Sequence, residues 1–142
     1  MARVAHLLRF QAFGLAAITG CAYSNDAPLT TSAEVRMATG EVTYKRGRNG
    51  NTQLRVKVRR LAPAGQVESG ASTYVVWAKP NSSADPQNIG VLRVGSERAG
   101  ELVTKTPLRD LELIITPERE PVALRPTGKS IMSARIDMTR SR

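Results

Sequence analysis

Polar and apolar residues alternate along two neighbouring segments in the first half of the chain. Val42 and Tyr44 alternate with polar residues in Gly40–Arg46, and three apolar residues alternate with three basic ones in Thr52–Arg59. A period of two residues is typical of a half-buried strand. Asn49-Gly50, which lies between the segments, is a common hairpin turn because both residues tolerate a positive φ. The pattern therefore predicts a β-hairpin.

The rest of the chain carries short apolar segments separated by turns that contain Gly or Pro. Thr73–Lys79 is apolar on both faces, as is typical of a strand inside a sandwich. Further strands are predicted at Ile89–Val94, Glu101–Thr104, Asp110–Thr116 and Ser130–Asp137, with a first strand at Glu34–Met37. The spacing favours an all-β fold, an antiparallel Ig-like β-sandwich of about seven to eight short strands. We expect one domain over residues 34–137, followed by a basic tail at 138–142 that frays.

The first twenty residues have the layout of a secretory signal peptide. Arg3 and Arg9 supply positive charge, no acidic residue occurs, and an apolar stretch runs from Phe10 to Ile18. This stretch covers about half of the roughly 20 residues that a membrane-spanning helix needs. We therefore expect residues 1–20 to be a signal peptide and not a permanent membrane helix.

The only cysteine follows this segment directly. Ile18–Cys21 resembles the bacterial lipobox, in which a small residue precedes a cysteine that becomes lipidated and begins the mature chain. The resemblance implies lipidation at Cys21, with residues 21–33 as a polar, flexible tether. The alternative is an ordinary buried thiol. By resemblance to sorted lipoproteins, Ala22 after the cysteine is compatible with the inner leaflet of an outer membrane, where two membranes are present.

The residue types left after the signal restrict the possible chemistry. His6 is the only histidine, so the mature chain would lack one, and a lipidated Cys21 would leave no free thiol. Zinc sites, Cys–His pairs and Ser–His–Asp triads need those residues. Glu118 and Glu120 in a Pro-bounded turn and the adjacent Lys129-Ser130 form no recognisable catalytic arrangement. We therefore predict a non-enzymatic protein with no catalytic residues, metal or cofactor.

The chain is strongly basic, with a formal net charge of +9 that falls to +7 without Arg3 and Arg9. The basic residues that cluster on the predicted hairpin are Lys45, Arg46, Arg48, Arg55, Lys57 and Arg59. On paired strands, Lys45 and the set Arg55, Lys57 and Arg59 could share one face. This would form a cationic stripe beside the hairpin tip that attracts acidic phospholipid head groups, lipopolysaccharide phosphates or cell-wall polymer. Alternatively, they only solvate the face and discourage edge pairing. Nucleic acid is disfavoured, because Tyr44 is the only aromatic residue among them.

A second resemblance covers Thr73 to Ile136. The segments that carry it are Tyr74 and Trp77 in YVVW, Gly90-Val91-Leu92, Gly100-Glu101-Leu102, and LELIITPE before a Pro-containing turn and a last apolar strand. Their order resembles the extracytoplasmic C-terminal domain of anti-sigma-K factors, which implies an outer sensing or interaction module. The chain shows neither the zinc motif nor the membrane helix of that family, so sigma-factor binding is not carried over.

The sequence thus predicts a lipid-anchored envelope protein that senses or binds an unidentified protein partner. The alternative is a cationic module that binds an anionic envelope polymer or membrane surface. Tyr74 and Trp77 lie three residues apart on one strand and point to opposite faces, so they cannot form one stacking platform. We expect Trp77 to pack in the core and Tyr74 to be partly exposed, with its hydroxyl at an edge.

Overall fold

Nine strands pack as two antiparallel sheets in a computed structural model that describes residues 24–81 and 84–140. The strands are β1 Asn25–Pro28, β2 Thr30–Thr31, β3 Thr39–Arg46, β4 Thr52–Arg59, β5 Thr73–Pro80, β6 Gln87–Leu92, β7 Gly100–Thr106, β8 Asp110–Glu118 and β9 Met132–Asp137. Sheet A has the order β1-β3-β4-β7, and sheet B has the order β2-β9-β8-β5-β6. This confirms the predicted all-β, Ig-like sandwich, with two short N-terminal strands beyond those expected.

The predicted hairpin is formed by β3 and β4. Val42 lies opposite Val56, and Tyr44 lies opposite Leu54. The inward-facing residues of β4 are almost fully buried while its basic residues face outward, as the alternation indicated. Each large apolar side chain buried in this way contributes about 1.5–3 kcal/mol relative to an exposed one. Gly50 has a φ of +80°, a conformation that favours glycine at this turn.

The strand predicted at Glu34–Met37 is wrong. Ala33–Val35 forms a single 3₁₀ turn, and the Ala38 amide donates to the Val35 carbonyl at 2.8 Å. Val35 and Ala38 are both buried although they lie three residues apart. This spacing brings two side chains to one side of a tight turn, whereas a strand would place them on opposite faces.

The predicted tether is also wrong for most of its length. Asn25–Pro28 pairs antiparallel with β3, Thr30–Thr31 pairs with β9, and Leu29 between them is buried. A polar, Pro-containing segment can form such a strand because an edge strand exposes one face and one row of backbone groups. The domain therefore extends at least to Asn25, nine residues before the predicted boundary at 34. Cys21 lies outside the described residues.

The central apolar strand β5 is buried on both faces, as predicted. Tyr74 and Val76 join the core between the sheets, whereas Val75 and Trp77 face outward from sheet B and are still buried. Trp77 is thus buried as expected, but beneath a loop instead of between the sheets. The expectation for Tyr74 is wrong, because its side chain is 1% exposed and its hydroxyl donates to the Ala62 carbonyl at 2.5 Å. Burial raises the pKa of Tyr74 to about 12.

A one-turn helix, α1, spans Ala64–Val67 in the connection from sheet A to sheet B. Ala64 is buried in the core, and the Glu68 amide donates to the Ala64 carbonyl at 2.9 Å. The helix contacts β5 and β8. It therefore closes the end of the sandwich at which β5 begins and β8 ends.

Candidate functional site

The outer face of sheet A carries the strand part of the predicted cationic stripe. Lys45, Arg55, Lys57 and Arg59 all point away from the core, because they alternate with inward-facing residues on β3 and β4. The prediction that these residues share one face is confirmed. Their surroundings, however, differ strongly along the face.

Acidic residues neutralise the middle of this face. The Arg55 guanidinium lies 3.0 Å from the Glu101 carboxylate, and Lys57 is in register with Glu41 on one side and Glu101 on the other. Because both partners of the ion pair are about half exposed, the pair contributes only about 0–1 kcal/mol to stability. The larger consequence of these acidic neighbours is electrostatic, because they compensate the positive charges of Arg55 and Lys57.

The basic residues at the turn end of the β3–β4 hairpin differ from those in the middle of the face. We call this group the hairpin end and define it as Lys45, Arg46 and Arg48 together with Arg109, which lies in the turn between β7 and β8. All four side chains are exposed, and none makes an ion pair within residues 24–81 and 84–140. The Thr52 hydroxyl donates to the Leu108 carbonyl at 2.6 Å and thereby holds the two turns together.

A cleft of about 320 Å³ lies at the hairpin end, between these turns and the end of β9. Its walls are formed by Arg46, Gly50, Thr52, Arg109, Met138 and Thr139. Met138 and Thr139 belong to the tail that was predicted to fray. Instead, the Met138 amide donates to the Arg109 carbonyl, and the Thr139 amide donates to Asp137, both at 2.8 Å. The tail is therefore part of the cleft wall.

The first described strand also begins at the hairpin end. Asn25 is in register with Tyr44, the residue before Lys45. Three peptide bonds separate Cys21 from Ser24, the first described residue, and three fully extended residues span at most about 11 Å. Ser24 therefore lies at the end of the sandwich that carries the exposed basic residues.

A second feature lies on the outer face of sheet B, where residues 119–130 of the connection from β8 to β9 fold over the sheet. We call it the 119–130 loop. Asn88 on β6 donates from its side-chain amide to the carbonyls of Pro121 and Ala123, both at 3.1 Å. This fastens one part of the loop to the edge of the sheet.

The other part of the loop is held by a buried carboxylate. Glu118, 1% exposed, accepts hydrogen bonds from the Thr127 amide at 2.9 Å and the Gly128 amide at 3.2 Å, and also from the Thr127 hydroxyl. The Thr116 hydroxyl donates to the same carboxylate at 2.6 Å and accepts from the Trp77 indole at 2.8 Å. The network connects the only tryptophan of the chain to the loop above it.

The Glu118 carboxylate is held in its ionised form. Burial acts to raise the pKa of Glu118, but hydrogen bonds from Thr116, Thr127 and Gly128 outweigh it and keep the pKa below its ordinary value. Sequence analysis placed Glu118 in a Pro-bounded turn, whereas it is the last residue of β8. Its hydrogen bonds with Thr127 and Gly128 fasten the loop.

The fastened loop displays two apolar side chains to solvent. Val122 is 77% exposed and Leu124 is 91% exposed, and they lie between Pro121 and Pro126. Covering a large aliphatic side chain of this kind with another apolar surface removes it from water and is favourable. Sequence analysis missed them, although two large aliphatic residues between prolines in an otherwise polar connection are a detectable signal.

Sequence analysis also missed Arg109. It lies about 60 residues from the rest of the hairpin end, so only the pairing of the strands brings it there. Cys21 and His6 lie outside the described residues. Within the part of the chain that the structure describes, no three His, Cys, Asp or Glu side chains form a group that could hold a metal ion. The same part contains no helix that is long and apolar enough to cross a membrane.

No protein-family model matches the chain, and no curated protein matches it. The resemblances to the lipobox and to the outer domain of anti-sigma-K factors stay predictions.

Proposed function

We propose that the protein is a non-enzymatic, lipid-anchored envelope protein whose β-sandwich binds a protein partner. The observation that carries the proposal is the exposed pair Val122 and Leu124 on the 119–130 loop. Glu118 and Asn88 fasten this loop from two sides. A surface that is ordered before binding loses less conformational entropy when a partner docks, so a preformed apolar contact of this kind favours association.

The anchor is proposed from the sequence. The lipobox-like Ile18–Cys21 follows a segment with signal-peptide layout, and a diacylglyceryl cysteine supplies the two acyl chains that stable anchoring needs. The protein would then be exported and held at the bacterial membrane, on the inner leaflet of the outer membrane where two membranes exist. The resemblance to the outer domain of anti-sigma-K factors supports a sensing or interaction role without sigma-factor binding.

Metabolic fatty-acid labelling tests the anchor. We expect label and membrane association for the wild-type chain, and neither for Cys21→Ala. An intact, unlabelled wild-type chain in the soluble fraction would exclude the anchor and return Cys21 and His6 to consideration as reactive residues.

Site-specific photocrosslinking in the bacterium tests the partner surface. A photoreactive residue at position 122 or 124 should give a discrete adduct with another protein, and Leu124→Asp should remove the adduct formed from position 122. The same residue at the exposed position 97, in the connection between β6 and β7, is the control. Equal adducts from positions 97 and 122, or no adduct from 122 and 124, would count against the loop as the binding surface.

A second candidate function is that of a cationic module on an anionic envelope polymer or membrane surface. It is favoured by one observation on the hairpin end, which lies beside the first residue of β1. Its basic side chains make no ion pair within residues 24–81 and 84–140. Attraction through exposed charges weakens as salt screens them, because the Debye length falls from about 10 Å at 0.1 M to about 3 Å at 1 M. Binding that survives high salt would contradict this candidate.

A further inference from the structure

We propose that the cleft between Arg46 and Arg109 binds the phosphate group of an anionic phospholipid headgroup in the membrane that holds the anchor. This inference rests on the second candidate function and narrows it to one site. It also replaces the long stripe predicted from sequence with a smaller set of residues from two separate turns.

The cleft is built by contacts between the turns. Arg46 is the last residue of β3, and Arg109 lies on the turn before β8. The hydrogen bond from Thr52 to the Leu108 carbonyl fixes the two turns to one another. The Arg109 guanidinium lies against the hairpin turn, since a Cβ placed on Gly50 would be 3.7 Å from its Nη2 atom. At about 320 Å³, the cleft is near the lower end of the roughly 300–1,000 Å³ typical of ligand sites.

The chemistry of the walls suits phosphate. A guanidinium is planar and always charged, and it offers several N–H donors that match two phosphate oxygens at once. Neither Arg46 nor Arg109 is paired with a carboxylate within residues 24–81 and 84–140. Both charges are therefore available to a ligand, in contrast to Arg55 on the strand part of the face.

The acidic residue beside the cleft is already engaged. Asp137 accepts hydrogen bonds from the amide and hydroxyl of Thr139, and it lies 3.4 Å from the Arg140 guanidinium. Asp110, in register with Asp137, lies 3.9 Å from Arg135. Both carboxylates thus have basic neighbours of their own, which leaves Arg46 and Arg109 uncompensated.

The position of the cleft selects a membrane lipid as the source of the phosphate. Asn25 pairs beside the hairpin end, and Ser24 lies three residues after Cys21. An acyl chain on Cys21 would therefore hold this end of the sandwich against the headgroups. Lys45 and Arg48 flank the same end, and basic residues near an anionic surface add to the attraction.

Vesicle cosedimentation tests the site. The full chain carrying Cys21→Ser, which cannot be lipidated, is mixed with vesicles of phosphatidylcholine alone or with added phosphatidylglycerol, at roughly 0.15 M salt. Binding to phosphatidylcholine alone is subtracted, because residues 10–18 are apolar. Arg46→Glu with Arg109→Glu should weaken the phosphatidylglycerol-dependent binding at least about tenfold.

A matched control carries the same change in charge elsewhere. Arg59→Glu with Arg93→Glu alters two exposed arginines away from the cleft and should retain most of the binding. Equal losses in the two double variants would show diffuse attraction and overturn the site, as would retention of binding in Arg46→Glu with Arg109→Glu. Arg46→Gln with Arg109→Gln repeats the test without charge reversal, and Trp77 fluorescence verifies that each variant is folded.

Inorganic phosphate distinguishes the source of the ligand. If phosphate at the concentration of accessible lipid phosphate displaces the protein from the vesicles, free phosphate is the ligand and the lipid assignment is wrong. Failure of the chain that carries Cys21→Ser alone to bind anionic vesicles at any salt would overturn the second candidate function as well. Fatty-acid labelling at Cys21 and crosslinking from position 124 depend on neither Arg46 nor Arg109. Their outcomes therefore test the anchor and the protein partner independently of the cleft.

Discussion

The 119–130 loop and the hairpin turn at residues 47–51 use polar residues in opposite ways. The loop is fastened by the carboxylate of Glu118, which is buried and surrounded by hydrogen-bond donors. The hairpin turn is closed by backbone hydrogen bonds, from the Gly47 amide to the Asn51 carbonyl at 2.7 Å and from the Gly50 amide to the Gly47 carbonyl at 3.0 Å. Its one charged side chain, Arg48, makes no ion pair within residues 24–81 and 84–140.

This difference separates charge that stabilises the fold from charge that is available to a ligand. Removing a buried, hydrogen-bonded carboxylate leaves several donors without an acceptor and so costs stability. Removing an exposed, unpaired arginine changes stability little, because most surface substitutions stay within about 0.5 kcal/mol. Substitutions in the two regions should therefore act on different measurements, stability for the loop and binding for the hairpin end.

The largest effect is expected for Glu118→Ala, which leaves the Thr127 and Gly128 amides and the Thr116 hydroxyl without their acceptor. We expect a loss of about 3 kcal/mol in the free energy of unfolding, measured by urea denaturation with Trp77 fluorescence. Glu120→Ala, an exposed acid on the same loop, is the control and should change stability by less than about 0.5 kcal/mol. Similar losses in the free energy of unfolding for the two variants would show that Glu118 stabilises the fold no more than an exposed acid does.

A smaller loss is expected for Gly128→Ala. The added Cβ would lie 2.0 Å from the Pro117 carbonyl oxygen, so the loop must shift away from Glu118. Overpacking of this kind costs about 1–3 kcal/mol. Gly95→Ala is the matched control, since its Cβ would have no atom within 4 Å. Equal thermal midpoints for the two variants would show that the loop does not depend on close approach at Gly128.

Acid should remove part of the stabilisation supplied by Glu118. The pKa of Glu118 is lower in the folded protein than its ordinary value of 4.5, so its contribution is present above that value and is lost as the pH falls through the folded pKa. We expect the stability difference between wild type and Glu118→Gln to shrink in this acidic range. A difference that stays constant from neutral to acidic pH would indicate that the charge itself contributes nothing.

The smallest effect concerns Arg55 and Glu101, the ion pair that distinguishes the strand part of the cationic face from the hairpin end. A double-mutant cycle with Arg55→Ala and Glu101→Ala should give a coupling energy below about 1 kcal/mol. Glu101→Gln should nevertheless strengthen binding to anionic vesicles, because it uncovers the charge of Arg55. Unchanged vesicle binding by Glu101→Gln would mean that this acid does not mask the face.

The strand boundaries show where local patterns were sufficient and where they were not. The β3–β4 hairpin was predictable because alternation and an Asn-Gly turn are local signals. The polar sequence of Asn25–Thr31 predicts a tether, yet the segment forms two edge strands that are hydrogen-bonded to β3 and β9. The sequence of the segment itself carries no signal for these pairing partners.

The candidate sites divide in the same way. Sequence alone identified Lys45, Arg46 and Arg48 as a basic cluster beside the hairpin turn. It could not show that Arg109 lies beside this cluster, because the two turns are distant in sequence. It could not show that Glu101 neutralises Arg55 either, because only the pairing of β4 with β7 brings these two residues together. The exposed Val122 and Leu124 carried a recognisable signal that was overlooked.

The sequence by itself determined that this chain forms a β-sandwich with a basic hairpin and an aliphatic core, because side-chain alternation and turn residues act over a few neighbouring positions. Tertiary structure alone decided which charges remain free. Pairing of β4 with β7 gives Arg55 an acidic neighbour, and the turn before β8 brings Arg109 beside Arg46. The loop folds over sheet B and buries Glu118, which would otherwise be a surface acid. This burial depends on tertiary structure because the amides that donate to Glu118 lie nine and ten residues further along the chain.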